Sequence, residues 1–200
     1  MTTMLQILRE RSWLLLCLIA ALTACSGNGG PLVTQTLDTR TGVTVLRATA
    51  PLILYSDNSA YAAHARDFVY LGPVEINTMG VRSHFLWLGI WSTIRDDERL
   101  STNRDGFESV VLFVDGEPLP LEIAGWTLDA IGVSEPVYVK PVASAAEAYY
   151  HVTLDQVRLL ATAQRIDLRV GTAWPRTYEL WDQQGAARAA LEEFARRGFD

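Results

Sequence analysis

The sequence predicts an α+β fold, with a mostly antiparallel β-sheet or sandwich followed by a helix–strand–helix C-terminal part. Short segments rich in β-branched and aromatic residues fill the chain from Thr41 to Val152, and two of them read as a hairpin. Helical periodicity begins at Thr153, where one further strand-type segment separates two helical stretches. Because strands and helices do not alternate regularly, the order argues against a doubly wound parallel sheet.

The first two predicted strands are short. Residues 41–48 alternate in hydrophobicity around Val43 and Val45, which is typical of a half-buried strand. Residues 52–55 form a second apolar segment after a proline. The small and polar residues 56–65 that follow predict a loop or a helical turn.

The strongest pattern is a long hairpin at the centre of the sheet. Residues 67–76 and 81–94 form its strands, and the turn at 77–80 contains Asn and Gly, which tolerate positive φ. Both faces of the second strand are apolar, which indicates burial on both sides: Phe85, Trp87 and Trp91 on one, Leu86, Leu88 and Ile90 on the other. Pro73 has no N–H to donate, so its strand is predicted to lie at an edge or to bulge there.

The middle of the chain predicts shorter strands separated by polar turns. The charged residues 95–108 read as irregular, and residues 126–135 fit neither a helix nor a strand pattern clearly. Asp115-Gly116 is a hairpin turn signal. The strand-type segments in this part are residues 109–114, 119–123, 137–140 and 149–152.

Two helices and a strand are predicted at the C-terminal end. Thr153 and Gln156 have the spacing of a capping box, which opens a helix with an apolar face. Residues 166–170 alternate as a strand, and residues 177–181 are a further segment that could pair. A last helix is predicted over residues 183–197, with its apolar stripe formed by Ala187, Ala190, Leu191 and Phe194.

The N-terminus has the three parts of a secretory signal. Arg9 and Arg11 precede the apolar run Trp13–Leu22, which is too short to span a bilayer as a helix. The run ends in Leu22-Thr23-Ala24-Cys25, and here the sequence resembles the lipobox of bacterial lipoproteins at all four positions. The resemblance covers residues 1–25 alone.

This resemblance implies cleavage before Cys25, a diacylglyceryl thioether on its sulfur and an acylated new N-terminus. It divides the chain into a signal peptide at residues 1–24, a lipidated cysteine and linker at 25–36, and a single globular domain at 37–200. Ser26, where inner-membrane lipoproteins carry Asp, implies an outer-membrane location facing the periplasm. The expected membrane contact is therefore the lipid on Cys25.

Composition excludes several classes of function. The chain of 200 residues carries a formal net charge of −6, which gives no electrostatic footprint for nucleic acid and no basic patch for anionic lipid. Cys17 leaves with the signal peptide and Cys25 takes the lipid, so the domain has no other thiol. A disulfide, a cysteine nucleophile and a zinc-thiolate site are excluded with it.

Enzymatic signatures are weak. His64, His84 and His151 lack metal-ligand spacing, and there is no Gly-x-Ser-x-Gly nucleophile elbow. Ser83 and His84 are neighbours in a strand, so their side chains point to opposite faces. Paired carboxylates for glycoside cleavage are a spatial arrangement that a sequence does not reveal, and the candidates are Glu75, Asp115, Glu117 and Glu122.

The acidic loop at residues 96–105 supplies oxygen atoms for calcium but lacks EF-hand spacing. Arg95, Arg99 and Arg104 are interleaved with its carboxylates and neutralise their charge. We interpret this loop as a solvated surface loop and expect no metal or cofactor in the protein.

The tryptophans are the remaining functional signal. Trp87 and Trp91 fit the core, because they lie on the buried hairpin. Trp174 and Trp181 lie near a Gly-rich break and a helix start, which makes them the candidate ligand-contact aromatics.

Two functions are consistent with these observations. The first is a lipid-anchored, non-enzymatic module of the cell envelope that binds a protein or an envelope polymer. The alternative is an envelope hydrolase with a spatially assembled carboxylate and histidine site. An exposed aromatic patch or open sheet edge would favour the module, whereas a pocket uniting His84 or His151 with two carboxylates would favour the enzyme.

Overall fold

The strands of the computed structural model form one continuous, fully antiparallel sheet. The structure describes residues 30–57, 64–94, 104–173 and 175–197. The strands are β1 Val33–Asp38, β2 Val43–Ala48, β3 Leu52–Asp57, β4 Arg66–Thr78, β5 Val81–Ser92, β6 Val110–Val114, β7 Glu117–Gly125, β8 Ala146–Val152, β9 Ile166–Val170 and β10 Arg176–Leu180. The helices are α1 Leu154–Thr162 and α2 Gly185–Arg197, and a short 3₁₀ helix spans Leu128–Ile131.

Eight of these strands close into a barrel. The strand order β4-β3-β10-β9-β6-β7-β8-β5 returns to β4 through the hairpin pairing of β4 with β5. Outside the barrel, β2 pairs with the C-terminal half of β4, and β1 pairs with β2. The predicted α+β sheet or sandwich is therefore wrong, because the protein is mostly β with a closed antiparallel barrel. Strands β9 and β10, which the sequence assigned to a helix–strand–helix part, belong to this barrel.

The barrel closes where β10 meets β3. Leu180 pairs with Leu54, and the N–H of Trp181 donates to the Ile53 carbonyl at 2.9 Å. The amide of Gln184 extends this contact, because it accepts from the Ile53 N–H and donates to the Ile53 carbonyl. A strand with alternating side chains looks the same in a sandwich and in a barrel, so the closure could not be read from periodicity.

The predicted central hairpin is confirmed as β4 and β5, which pair along their whole length. On its other side β4 changes partner: Leu71 pairs with Leu52 of β3, whereas Val74 pairs with Arg47 of β2. Pro73 lies between these two registers. β4 is not an edge strand, but Pro73 has no partner on the side away from β5, so the edge environment that its missing N–H requires exists locally.

The main core fills the barrel interior. Inward-facing side chains from all parts of the barrel are fully buried, including Leu52, Leu54, Val69, Leu71, Leu86, Leu88, Leu112, Ala148, Tyr150 and Leu168. The buried faces of both helices belong to the same cluster, through Val157 and Leu160 of α1 and Leu191 and Phe194 of α2. The helices therefore add to the barrel core and do not form a second layer on an open sheet.

A second, smaller core lies on the outer face of the hairpin. Outward-facing side chains of β2, β4 and β5, such as Val74 and Trp87, are covered there by the segment from Leu128 to Tyr138. We call residues 126–145 the covering segment. This explains why β5 is apolar on both faces: one face lines the barrel and the other lies under the covering segment.

The helix signals are confirmed, with small differences at the ends. The Thr153 hydroxyl accepts from the Gln156 N–H at 3.2 Å, and the Gln156 side chain accepts from the Thr153 N–H at 2.8 Å, which is a capping box. The second helix begins at Gly185. None of the described helices has the length and apolar composition that crossing a membrane requires.

Other segment predictions differ from the structure. Residues 137–140 are irregular, and the folded unit begins at Leu32, with β1 starting inside the stretch assigned to the linker. The signal peptide with Cys25, and residues 95–103 of the acidic loop, lie outside the described residues.

Candidate functional site: an aromatic face on the barrel

Five aromatic side chains meet on the outside of the barrel where it closes. Tyr55 comes from β3, Phe68 and Tyr70 from β4, Trp91 from β5, and Trp181 follows β10. The alternation of a strand explains this arrangement, because their neighbours point inward into the core. We call these five residues the aromatic face.

The rings pack against one another in a continuous network. Phe68 and Trp91 stack with centroids 4.7 Å apart and planes 15° apart, and Tyr55 meets Trp181 edge-on at 5.1 Å. Phe68 also contacts Trp181 at 5.7 Å, and Tyr70 lies 6.5 Å from Trp91. Such pairs are worth about 0.5–1.5 kcal/mol each beyond their buried area, so the face holds its own shape.

Arg66 lies over this network. Its guanidinium carbon is 5.5 Å from the Tyr55 ring centroid and 5.1 Å from that of Trp181. Its Nε donates to the Asp57 carboxylate at 3.0 Å. The ion pair and the two rings therefore hold the guanidinium against the aromatic face.

The aromatic face is open to solvent in part. Trp181 is 38% exposed, and the other four rings are half-buried. The indole Nε1 of Trp91 is shielded from solvent and has no hydrogen-bond partner among the described residues. Adjoining aromatic rings that are partly open to solvent are a candidate binding surface.

The structure brings one of the two predicted ligand-contact aromatics to this face. Trp181 is there, whereas Trp174 and the predicted lipidation residue Cys25 lie outside the described residues. Trp87 is fully buried, which confirms its assignment to the core. Trp91, assigned to the core with it, is instead part of the aromatic face, which the strand pattern could not distinguish.

The carboxylate and histidine candidates assemble only in part. His84 Nε2 lies 3.0 Å from Glu75 Oε2, and Arg82 Nε lies 3.7 Å from Glu75 Oε1. Glu75 is buried and lines a cleft of about 280 Å³ with Arg197 at its rim. His84 therefore has one carboxylate beside it, where paired-carboxylate chemistry needs two.

The remaining candidates do not join this pair. Asp115 accepts hydrogen bonds from the Gln164 and Arg165 N–H groups, which is a structural role at a loop. Glu122 and His151 are exposed partners across β7 and β8, and His64 is exposed elsewhere. Within the described parts of the chain, no three His, Cys, Asp or Glu side chains come together as a metal site.

The comparisons with known proteins do not extend these observations. No protein-family model, no curated protein and no solved structure matches this chain. The function must therefore be argued from the site.

Proposed function

We propose that this protein is a lipid-anchored cell-envelope module that binds a protein partner through its aromatic face. The observation that carries the proposal is the set of five adjoining aromatic side chains with Arg66 held against them. The fold supplies a rigid barrel beneath it, and the lipobox at Cys25 supplies the anchor.

The composition of the face favours binding of a protein. Trp, Tyr and Arg are the residues that most often dominate the binding energy of protein interfaces. The five rings are already ordered against one another, so little conformational entropy is lost on binding.

The packing of the rings argues against a sugar polymer as the first choice. Stacking on sugar needs a free ring face, but Phe68 and Trp91 stack on each other and Trp181 meets Tyr55 edge-on. An envelope polymer is therefore the second candidate partner.

The test is photocrosslinking of the full chain in its own envelope. A photoreactive phenylalanine replaces Tyr70 on the aromatic face or, as the control, Leu159, which is 48% exposed on α1. We expect one protein adduct from position 70 and none from position 159. A pattern that is the same at both positions would contradict a specific interface.

Point variants then connect the adduct to the face. Trp181→Ala should weaken binding of the captured partner about thirtyfold, since hot-spot truncations cost about 2 kcal/mol. Arg66→Ala should also weaken it, whereas Arg165→Ala, which removes an exposed arginine from another ion pair, should not. If the protein cosediments with isolated envelope polymer and Trp181→Ala abolishes this, the polymer and not a protein is the partner of the aromatic face.

The anchor has its own test. Cys25→Ala should move the protein from the membrane to the soluble fraction, because two or more acyl chains are what hold such a protein stably. A variant that stays with the membrane would refute the lipid anchor and leave the aromatic face untouched.

A further inference from the structure

A cleft of about 750 Å³ opens beside the covering segment, and it shares no lining residue with the aromatic face. The β1–β2 turn, the covering segment and the start of β8 form its walls. A volume of this order suits a small organic molecule.

Three cationic side chains line the cleft of this acidic protein. Arg40, Arg104 and Lys140 line it, against the carboxylates of Asp129 and Glu147, in a chain of net charge −6. Lys140 is the one lysine of the whole sequence. Charge of this sign raises the local concentration of anions.

Within the described part of the chain, one of the three cations has a carboxylate partner. Lys140 Nζ lies 3.6 Å from Glu147, but among the described residues no carboxylate lies within ion-pair distance of Arg40 or Arg104. Glu147 also faces the Trp87 indole N–H at 3.3 Å and the Tyr149 hydroxyl at 3.4 Å. Glu147 is thus engaged by these donors, and no described carboxylate pairs with the guanidinium groups of Arg40 and Arg104.

The floor of the cleft is fixed in place. Ser134 on the covering segment donates from its N–H and its hydroxyl to the buried carboxylate of Asp38, at 2.5 and 2.7 Å. The Arg40 N–H donates to the same carboxylate at 3.1 Å. These hydrogen bonds, led by the Ser134 N–H, hold the pKa of Asp38 well below its ordinary value. Ser134 and the backbone of Arg40 are therefore preorganised around one charge.

One wall of the cleft is apolar and contains an aromatic ring. The guanidinium of Arg104 lies 5.1 Å from the ring centroid of the half-buried Trp126. Leu128, Val133 and Ala145 line the same cleft. A ligand with a flat or apolar body can lie on this wall while its charged group reaches an arginine.

We infer that this cleft binds a small organic anion, in which a carboxylate or phosphate group sits next to a flat apolar body. The guanidinium of arginine matches the two oxygens of either group with parallel N–H donors. Arg40 and Arg104 take the charged group, and Trp126 takes the body.

The test is calorimetric titration of the full chain, with a detergent blank, using three probes of the same ring. Benzoate and phenyl phosphate carry the two candidate anionic groups, and benzyl alcohol is neutral. We expect at least one anion to bind about tenfold more tightly than benzyl alcohol, more so at low salt. The better anion identifies the charged group, and binding of neither would overturn the inference.

Paired variants locate the binding. Arg40→Gln with Arg104→Gln should weaken the anion about tenfold and leave benzyl alcohol unchanged, because both side chains are exposed and removing them leaves the fold intact. Arg158→Gln with Arg196→Gln removes the same charge from ion pairs on the two helices and should have no effect. Equal weakening in both double variants would mean a general charge effect and would refute a site in the cleft.

These results are independent of the proposed protein partner. The aromatic face is unchanged in both double variants, so crosslinking from position 70 should persist in them. Loss of anion binding with retained crosslinking assigns two separate sites to the barrel.

Discussion

Trp87 and Trp91 lie four residues apart on the same face of the same strand, yet their surroundings differ. Trp87 is fully buried and stacks on Tyr138 of the covering segment, with centroids 4.7 Å apart. Trp91 is half-buried and stacks on Phe68 of the neighbouring strand at the same 4.7 Å. The difference is therefore what lies above each ring, because the sheet beneath them is the same.

Polar contacts to neighbouring strands hold the covering segment over Trp87. Asp38 binds Ser134, and the Tyr138 hydroxyl donates to the Pro73 carbonyl at 2.9 Å. Over Trp91 the structure describes no such segment, and the rings there form the aromatic face. The covering segment thus buries one half of the hairpin, whereas the described rings of the other half are half-buried.

The largest expected effect separates the two tryptophans directly. Trp87→Ala should lower the free energy of unfolding by about 3–5 kcal/mol, because it leaves a large cavity between β5 and Tyr138. Trp91→Ala, the matched change on the same strand, should cost about 1–2 kcal/mol, since solvent can fill part of the space. Urea denaturation measures both, and equal losses would contradict the division into covered and exposed halves.

A smaller effect is expected where the covering segment touches the backbone. A Cβ on Gly72 would lie 2.4 Å from the Tyr138 ring, so Gly72→Ala should cost about 1–3 kcal/mol by overpacking. Gly185→Ala is the control, because nothing lies within 4 Å of its Cβ position and alanine favours the start of α2. Gly72→Ala should cost less stability when Tyr138 is replaced by Val, because the ring it contacts is then gone. An equal cost of Gly72→Ala in both backgrounds would argue against this contact.

The hydroxyl of Tyr138 should matter less than its ring. Burial raises the pKa of Tyr138 well above its ordinary value, so the group remains a hydrogen-bond donor. Tyr138→Phe leaves the Pro73 carbonyl without this partner and should cost about 1 kcal/mol in thermal or urea unfolding. The cost of Trp91→Ala should be the same in the Tyr138→Phe background as in the wild type, and a different cost would mean that the two halves of the hairpin are coupled.

The smallest expected effect is a difference in acid sensitivity. The pKa of Asp38 is lowered in the folded protein, chiefly by the Ser134 N–H, so below the ordinary value near 3.8 the unfolded chain binds the proton more readily. Its contribution to stability is therefore present above that pH and is lost as the pH falls further. Asp38→Asn should show a shallower loss of melting temperature in this acid range than the wild type. If the melting temperatures of the wild type and Asp38→Asn fall in parallel as the pH is lowered, Asp38 does not hold the covering segment.

Local signals in the sequence predicted several elements correctly. The hairpin of β4 and β5 follows from two apolar runs around an Asn/Gly-containing turn, and α1 follows from the Thr153–Gln156 capping box. These features depend on residues close in the chain, whose preferences survive in almost any tertiary setting. The position of Trp181 near an element end also made it a candidate ligand-contact residue, and that role stays a prediction.

The candidate sites could be predicted only in fragments. The aromatic face needs β3, β4, β5 and the end of β10 side by side, and the cleft needs the β1–β2 turn next to the covering segment. Arg66 and Arg40 gave no sequence signal. Whether an arginine lies on an aromatic ring or lines a cleft depends on neighbours that are distant in the chain. The error on Trp91 has the same origin, since strand periodicity gives the face of a side chain but not what covers it.

The sequence by itself determined most of the strands, their alternation, the capping box of α1, the acidic charge and the expectation of a lipid anchor at Cys25. Only the tertiary structure decided that β10 pairs with β3 to close a barrel, and that the covering segment buries Trp87 and leaves Trp91 to the aromatic face. The physical reason is that alternation is a property of one strand, whereas closure and coverage depend on pairings between residues far apart in the chain.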